Sequence, residues 1–274
     1  MQCTAHFHAL SLYSNRLSSK NYIFTPDSYY MFFTYFGKYL LLLRSVFRKP
    51  EKRSIYWKEI MFEMDNIGIG SLGLVSIIST FIGAVMTMQI AFQLVSDLIP
   101  NSIIGQINRD SSILELSPTI TALVLAGKVG SSISSQIGSM RVTEQIDALE
   151  IMGINAPGYL ILPKIMAGIT MVPVLVVISI FLAITGGLLG GSLSGAVTPA
   201  DYIMGVTDSF NGYIISVALV KAFVFGFIIT SISAFQGFYV RGGALEVGHA
   251  STKSVVVSCI AILAADYVIT ALML

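Results

Sequence analysis

The strongest constraint on the fold of this 274-residue chain is a series of five apolar stretches, near residues 74–96, 113–137, 159–192, 213–235 and 254–274. A helix needs about 20 apolar residues to cross a hydrocarbon core roughly 30 Å thick, and each stretch is that long. Charged residues make up only 11% of the sequence, whereas a soluble domain carries about 25%. We therefore predict an all-α integral membrane protein with five transmembrane helices.

The third stretch is too long for one straight span. Pro173 lies inside it, and because a proline removes a helical hydrogen bond, we expect it to kink or divide the helix. Overlapping GxxxG spacing near the end of the stretch predicts close packing against another helix. The glycines are Gly186, Gly187, Gly190 and Gly191.

Basic residues in short loops predict the orientation, because cytoplasmic loops are enriched in Lys and Arg. Nine of the 16 basic residues precede the first stretch: Arg16, Lys20, Lys38, Arg44, Arg48, Lys49, Lys52, Arg53 and Lys58. That end is predicted to be cytoplasmic, and five spans then place the C-terminus outside. The 193–212 loop has no Lys or Arg, as expected outside, whereas the 138–158 and 236–253 loops have basic residues, as expected inside. The 97–112 segment is predicted to be an external loop.

Residues 31–66 are predicted to form one or two interfacial helices on the cytoplasmic leaflet, ahead of a five-helix membrane domain at 67–274. The segment is apolar and aromatic but contains Lys38 and Arg44, which suits a helix lying on the membrane. A sixth span is the alternative, although it would disagree with the distribution of basic residues among the loops. Residues 1–30 are a predicted tail, translated from an upstream start codon ahead of Met31 or belonging to a transit-like segment.

Small side chains line one face of the second stretch. They are Gly127, Ser131, Ser134, Ser135 and Gly138. Such a face lets helix backbones approach closely in lipid. Packing within the chain, contact with a second copy and a lipid-lined cleft would each use it.

The segment that follows, 138–153, has an amphipathic pattern. Val142, Ile146, Leu149 and Met152 recur on one helical face, and Gly153 is a predicted C-cap. The polar residues are Arg141, Glu144, Gln145, Asp147 and Glu150. This helix either lies on the membrane or docks a protein partner. Its acidic face favours the partner, because anionic leaflets repel Asp and Glu.

These motifs resemble the MlaE (YrbE) permease family. The family pattern E-L-x-P stands at 115–118, A-G-K/R-x-G-S at 126–131 and G-x-M-R-x-T-E-Q-I-D-A-L at 138–149, and M-G-I at 152–154 is followed by a proline at 157. The 251–256 and 266–273 segments also look like the family. Many relatives carry Arg before the glutamate of E-L-x-P, and here that position is Leu114.

The resemblance implies a specific assembly. Such permeases form homodimers, and two ATPase subunits dock beneath them on a coupling helix, which here would be 138–153. MCE-domain proteins on the outer side guide lipid between the inner and outer membranes, and a small auxiliary cytoplasmic subunit is possible. The cargo is phospholipid in most members. The permease itself has no catalytic residue and no cofactor, because the partner subunit binds ATP.

Charged residues inside the spans are costly, so each is a functional hypothesis. Glu115 and Lys221 lie towards the outer ends of their spans and could face a cavity that accepts a lipid headgroup, or form a structural ion pair. Gln89 and Gln93 could line the same cavity or make interhelical hydrogen bonds.

Two further charges lie deeper in their spans. Lys128 is expected to snorkel to the inner headgroups in a structural role. Asp266 needs a partner or a proton, because a buried carboxylate is costly. A lysine is a plausible partner, but the sequence does not identify which one.

The sequence excludes several other functions. It contains no HExxH, CxxC or GxxxxGK[ST] motif, and its net charge of +1 gives no field for nucleic acid. We expect no metal site, and Cys3 and Cys259 do not suggest a disulfide framework. The alternative to a lipid permease is an ion-gradient-driven transporter or channel, which would cluster carboxylates at mid-membrane and break its helices. We expect the bacterial inner membrane, with the chloroplast inner envelope as the alternative.

Overall fold

A computed structural model of the protein describes residues 26–46, 53–94 and 100–273, with side chains from residue 33 and from residue 56 in the first two ranges. The described residues contain helices and no strand. Within this described part of the chain, five helices are long and apolar enough to cross a membrane, which confirms the predicted fold class. In chain order they are the first span Tyr56–Gln93, the second span Ser102–Val142, the third span Ala156–Leu193, the fourth span Tyr213–Phe238 and the fifth span Ala244–Met273.

The chain separates into two compact units, residues 1–44 and residues 45–274. The described part of the first unit belongs to one helix, Pro26–Val46. This helix is not among the five that could span a membrane. It begins before Met31, where we predicted the interfacial region to start. The prediction for residues 1–25 lies outside the described residues.

The first span begins in the segment predicted to be interfacial. Helix Arg53–Met64 runs through a π-helical turn, Asp65–Ile69, into helix Gly70–Gln93. The predicted boundary between residues 66 and 67 therefore falls inside one continuous helical segment. At 1.5 Å per residue its 38 spanning residues measure about 57 Å, which exceeds the hydrocarbon thickness and leaves room for both an interfacial part and a spanning part.

The 97–112 segment was predicted to be a loop, and that prediction is wrong for residues 102–111. They form the helix Ser102–Ser111, which continues through the π-helical turn Ser112–Leu116 into the second span. Its stability comes from tertiary contact. A Cβ at Gly105 would lie 2.4 Å from the carbonyl oxygen of Tyr202, so the helix packs backbone to backbone against the short helix Pro199–Thr207.

The third span does not divide at Pro173. It is one helix of 38 residues with both Pro163 and Pro173 inside it and buried. Membrane helices tolerate internal proline where neighbouring helices satisfy the freed backbone groups. The fifth span is also longer than predicted, since it starts at Ala244.

Glycines bring the first and third spans into backbone contact, as the GxxxG spacing predicted. A Cβ at Gly186 would lie 2.2 Å from the carbonyl oxygen of Thr80, and one at Gly190 would lie 2.6 Å from the Cβ of Ala84. From the other side, a Cβ at Gly83 would lie 1.8 Å from the carbonyl oxygen of Ala183. Close approach of this kind is the main source of helix association in lipid, where the hydrophobic effect is absent.

The connection between the second and third spans is not one helix over 138–153. The second span continues to Val142, the chain turns at Thr143 and Glu144, and a short helix follows at Gln145–Ile151. Glu144 has a left-handed backbone, with φ of 61°, which breaks the helix between the two pieces. Gly153, with φ of 79°, ends the second piece and confirms the predicted C-cap. We call this end of the bundle, predicted to be cytoplasmic, the inner end, and the opposite end the outer end.

Candidate functional site: an intramembrane charge cluster

Three charged residues from three spans meet inside the bundle. Lys221 on the fourth span is fully buried, and its Nζ lies 2.7 Å from Glu115 Oε2 on the second span and 2.8 Å from Asp266 Oδ1 on the fifth. Thr119 adds a hydrogen bond of 3.2 Å from its hydroxyl to Asp266 Oδ2. We call Glu115, Lys221 and Asp266 the charge cluster. The cluster supplies the partner that sequence reasoning could not choose for Asp266.

A proline explains a third contact of the lysine. Lys221 Nζ also donates to the backbone carbonyl of Leu114 at 3.0 Å. In an α-helix that carbonyl would accept from residue 118, but Pro118 has no N–H. The π-helical turn Ser112–Leu116 lies at this point, and turns of this kind are frequent at functional sites. The E-L-S-P sequence thus provides the carboxylate for this ammonium group, and its proline leaves the preceding Leu114 carbonyl available to the same group.

The cluster is open at one member only. The side chain of Glu115 is 50% exposed, whereas those of Lys221 and Asp266 are 0% and 9% exposed. An ammonium group has three donors, and Lys221 faces oxygens of Leu114, Glu115 and Asp266. Glu115 is therefore the member that can meet a ligand, and its carboxylate suits a cation such as an amine headgroup. In this arrangement Lys221 positions Glu115.

The other polar residues singled out within the spans are exposed in the structure. Gln89 and Gln93 are exposed near the outer end of the first span, and among the described residues neither bonds to the charge cluster. Lys128 is exposed and donates to the carbonyl of Gly70 on the first span. The structure thus brings Glu115, Lys221 and Asp266 into contact, and the assignment of the two glutamines to a cavity stays a prediction.

A second buried ion pair, near the inner end, was missed by the sequence analysis. Lys164 on the third span is 4% exposed and Glu63 on the first span 7% exposed. The two form a salt bridge, and Lys164 also donates to Gln136 Oε1 on the second span at 2.6 Å. The signal was available, because Lys164 lies within an apolar span and an intramembrane charge needs a partner.

The residues predicted to couple to an ATPase divide into two groups. Arg141 bonds to Asp147 at 2.6 Å and lies 5.8 Å from the ring centre of Phe238, so these two hold the short inner helix to the bundle. Glu144, Gln145 and Glu150 are exposed. Beside them Ile151 and Met152 are 86% and 66% exposed. The predicted apolar face is thus only partly covered, with Ile146 fully buried.

The outer helix Pro199–Thr207 lies in a region where the sequence analysis expected only a loop. Tyr202 anchors it. Its hydroxyl accepts from Asn108 Nδ2 at 2.7 Å and donates to the carbonyl of Ile184 at 3.0 Å. Burial raises the pKa of the Tyr202 phenol above its ordinary value, while its hydrogen bonds with Asn108 and Thr87 oppose that rise.

Arg109 fixes the other end of the same helix. It is 2% exposed, and its Nη1 donates to the carbonyls of Val206 at 2.8 Å and Asp208 at 2.6 Å. The carbonyls at a helix C-terminus lack helical partners, so a buried guanidinium can serve them. The one basic residue predicted for an external loop is therefore a structural clamp between the second span and the outer helix.

Comparison with known proteins identifies the family to which the sequence is similar. Residues 60–272 match the family model described as Permease MlaE. A probable ABC transporter permease protein of Rickettsia bellii is 37% identical over 233 residues, which cover 85% of this chain and 88% of that protein. The intermembrane phospholipid transport system permease protein MlaE of Haemophilus influenzae is 30% identical over 234 residues, covering 85% and 89%. The chloroplastic protein trigalactosyldiacylglycerol 1 of Arabidopsis thaliana is 33% identical over 223 residues, covering 80% and 62%.

Proposed function

This chain belongs to the MlaE permease family, and from that membership we propose that it is the membrane subunit of an ATP-driven transporter that moves phospholipid between the two membranes of a bacterial envelope. The observation that carries the proposal is the family match over residues 60–272. A relative from Haemophilus influenzae is named as a permease of intermembrane phospholipid transport, and one from Rickettsia bellii as an ABC transporter permease. The permease is a transport subunit without a catalytic site of its own.

The proposed contact with the ATPase is the short helix Gln145–Ile151 and the residues that follow it. Exposed Ile151 and Met152 supply apolar area, and exposed Glu144 and Glu150 supply charge. A mixed face of this kind favours a protein partner, because an anionic leaflet would repel the two carboxylates. Arg141 and Asp147 keep the helix attached to the bundle, so movement of the partner is transmitted to the second span.

The proposed lipid contact near the outer end is Glu115. Its carboxylate is half exposed, and its neighbours Lys221 and Asp266 are buried. An amine headgroup would pair with Glu115 while Asp266 keeps the charge of Lys221 balanced. The resemblance adds a homodimer, in which two such clusters face a shared lipid cavity, and an MCE-domain partner at the outer end.

The gradient-driven alternative shares one observation with this proposal. Two carboxylates, Glu115 and Asp266, do lie together within the spans, as such a transporter would require. The third span is continuous, however, where a broken helix would be expected. The relative from Rickettsia bellii is named as a probable ABC transporter permease protein, which favours coupling to an ATPase.

A pull-down tests the proposal. The tagged chain is extracted from its native membrane in a mild detergent, and the proteins and lipids that accompany it are identified by mass spectrometry. We expect an ABC ATPase, an MCE-domain protein and phospholipid. Recovery of the folded chain without an ATPase would contradict the proposal and favour the gradient-driven transporter. The membrane from which the chain is recovered also tests its location. We propose the bacterial inner membrane, and the chloroplast inner envelope is the alternative.

A further inference from the structure

A groove of about 400 Å³ lies near the inner end, between the first and second spans. One wall is the π-helical turn Asp65–Ile69 with the helix before it, and the other is a face of the second span. Its polar lining consists of Glu63, Asn66, Lys128, Ser132 and Gln136. A volume of this size falls within the range of small-molecule sites, roughly 300–1,000 Å³. We call it the inner groove.

The second span presents an unusual polar face to this groove. Lys128, Ser132 and Gln136 recur every fourth residue and are all exposed. Polar side chains in a membrane span face the bundle interior or a water-filled cavity, because acyl chains cannot satisfy them. The groove is therefore suited to water or a polar group, although it lies in a segment that is long and apolar enough to span a membrane.

The groove offers mainly hydrogen-bond donors. A lysine ammonium can only donate, so the amide oxygen of Gln136 must face Lys164, which bonds to it at 2.6 Å. That leaves the Gln136 amide nitrogen as the donor to the groove. Lys128 uses one of its three donors on the Gly70 carbonyl, and the hydroxyl of Ser132 lies between the two.

The unpaired charge of the groove lining is that of Lys128. Glu63 is neutralised by its buried salt bridge with Lys164. Among the described lining residues, Lys128 is the charged group that has no salt bridge. A cation accompanied by amide and hydroxyl donors is the chemistry that binds a phosphate.

The surroundings of the groove are apolar. Phe62 lines the groove and is 59% exposed. Ile69, on the π-helical turn that forms one wall, is 69% exposed. A free phosphate would leave this apolar border unused, whereas a phospholipid would place its acyl chains along it.

We propose that the inner groove binds the phosphate of a glycerophospholipid drawn from the leaflet at the inner end. This site rests on the proposed function and deepens it. Glu115 and Lys128 lie 13 positions apart on the second span, which is about 20 Å at 1.5 Å per residue. The same helix then carries one headgroup contact towards each leaflet, with an amine contact at Glu115 and a phosphate contact at Lys128.

Thiol protection tests the site in the full chain. Ser132→Cys is introduced with Cys3→Ser and Cys259→Ser, and the protein is purified in a maltoside detergent, which carries no phosphate. The rate of alkylation is measured with added dihexanoyl phosphatidylglycerol, inorganic phosphate or dihexanoylglycerol. We expect the phospholipid to slow alkylation strongly, and the other two to leave the rate nearly unchanged.

Variants identify the phosphate contact. Lys128→Gln is expected to raise the phospholipid concentration needed for half protection by about tenfold, the effect of losing one charge-assisted hydrogen bond. Lys128→Arg should retain protection, and Lys253→Gln, an exposed lysine on the fifth span outside the groove, should leave it unchanged. If Lys128→Gln aggregates, Asn66→Asp adds a negative charge to the groove and should weaken protection in the same direction.

The outcomes separate this site from the proposed function. Equal protection by inorganic phosphate would overturn the assignment to a lipid, and equal protection by dihexanoylglycerol would overturn the role of the phosphate. If none of the three compounds protects the thiol and the chain still recovers its ATPase in the pull-down, the groove does not bind phospholipid. The proposed function would then still stand. Protection that depends on Lys128 in a chain that recovers no ATPase would support the groove and contradict the transporter.

Discussion

The Nζ of Lys221 donates to the carbonyl oxygen of Leu114 at 3.0 Å, and that contact uses the backbone of residue 114 and not its side chain. The resemblance to the MlaE family placed an arginine at this position in many relatives, and its replacement by leucine left the headgroup preference open. Because every residue supplies a carbonyl, the substitution keeps the anchor of Lys221. It removes one possible cation from beside Glu115, which leaves the exposed part of the cluster acidic.

The first prediction concerns the lysine at the centre of the charge cluster. Lys221→Met leaves Glu115 and Asp266 next to each other without a cation, and removing one partner of a buried ion pair costs about 3–5 kcal/mol. We expect a clear fall in the thermal unfolding midpoint of the purified protein, followed by circular dichroism in mild detergent. Asp266→Asn is the matched control, because Lys221 then keeps its contacts with Glu115 and with the Leu114 carbonyl. An unchanged midpoint for Lys221→Met would contradict the buried cluster.

The second prediction separates transport from stability at Glu115. Glu115→Gln removes the half-exposed charge while Asp266 still balances Lys221. We expect lipid transfer between proteoliposomes to fall several-fold for amine-headgroup lipids and the unfolding midpoint to change little. Transfer rates are measured with a lipid labelled in its acyl chain, so that the headgroup stays intact. Normal transfer by Glu115→Gln would assign Glu115 to a structural role.

Particular residues explain how much the sequence could predict. The five spans follow from local composition, and the glycine contacts follow from the spacing of glycines along a single helix. Both can therefore be predicted from a short stretch of sequence. The partner of Asp266 was beyond sequence reasoning, because Lys221 is far away in the chain and only the packing of the fourth and fifth spans joins them. The helix Ser102–Ser111 was missed for the same reason. Its sequence has few apolar residues, and its contact with the helix Pro199–Thr207 stabilises it.

The third prediction tests backbone contact between the first and third spans. Gly83→Ala would place a Cβ 1.8 Å from the Ala183 carbonyl oxygen, so the spans must move apart, at a cost of about 1–3 kcal/mol for overpacking. Gly73→Ala, on the same helix with nothing within 4 Å of its Cβ, is the control and should be neutral or slightly stabilising. The unfolding midpoints of both variants measure the difference. Equal midpoints would mean that the two helices lie further apart.

The fourth prediction uses the pKa of Tyr202. Burial raises this pKa above the ordinary value of 10.0, so the folded protein holds the phenolic proton at a pH where the unfolded chain has lost it. The buried, protonated phenol contributes fully to the stability of the fold below pH 10, and this contribution is lost as the pH rises through the raised pKa. Tyr202→Phe removes this pH dependence. It also removes the hydroxyl that accepts a hydrogen bond from Asn108, which costs about 1–3 kcal/mol of stability near neutral pH. The difference in unfolding midpoint between the two proteins should therefore shrink above pH 10, and a constant difference would contradict the assignment.

The last prediction concerns the contact with the ATPase. Glu150→Lys reverses a charge on the exposed side of the helix Gln145–Ile151 and touches no bond that holds this helix to the bundle. We expect the ATPase to be lost from the pull-down while the unfolding midpoint stays the same, because truncating or reversing charges at an interface acts on association. Asp147→Asn is the contrasting variant. It breaks the 2.6 Å bond to Arg141 and should loosen the connection, with the exposed charges of Glu144 and Glu150 retained. An ATPase that still binds Glu150→Lys as tightly as the native chain would place the docking surface elsewhere on the inner end.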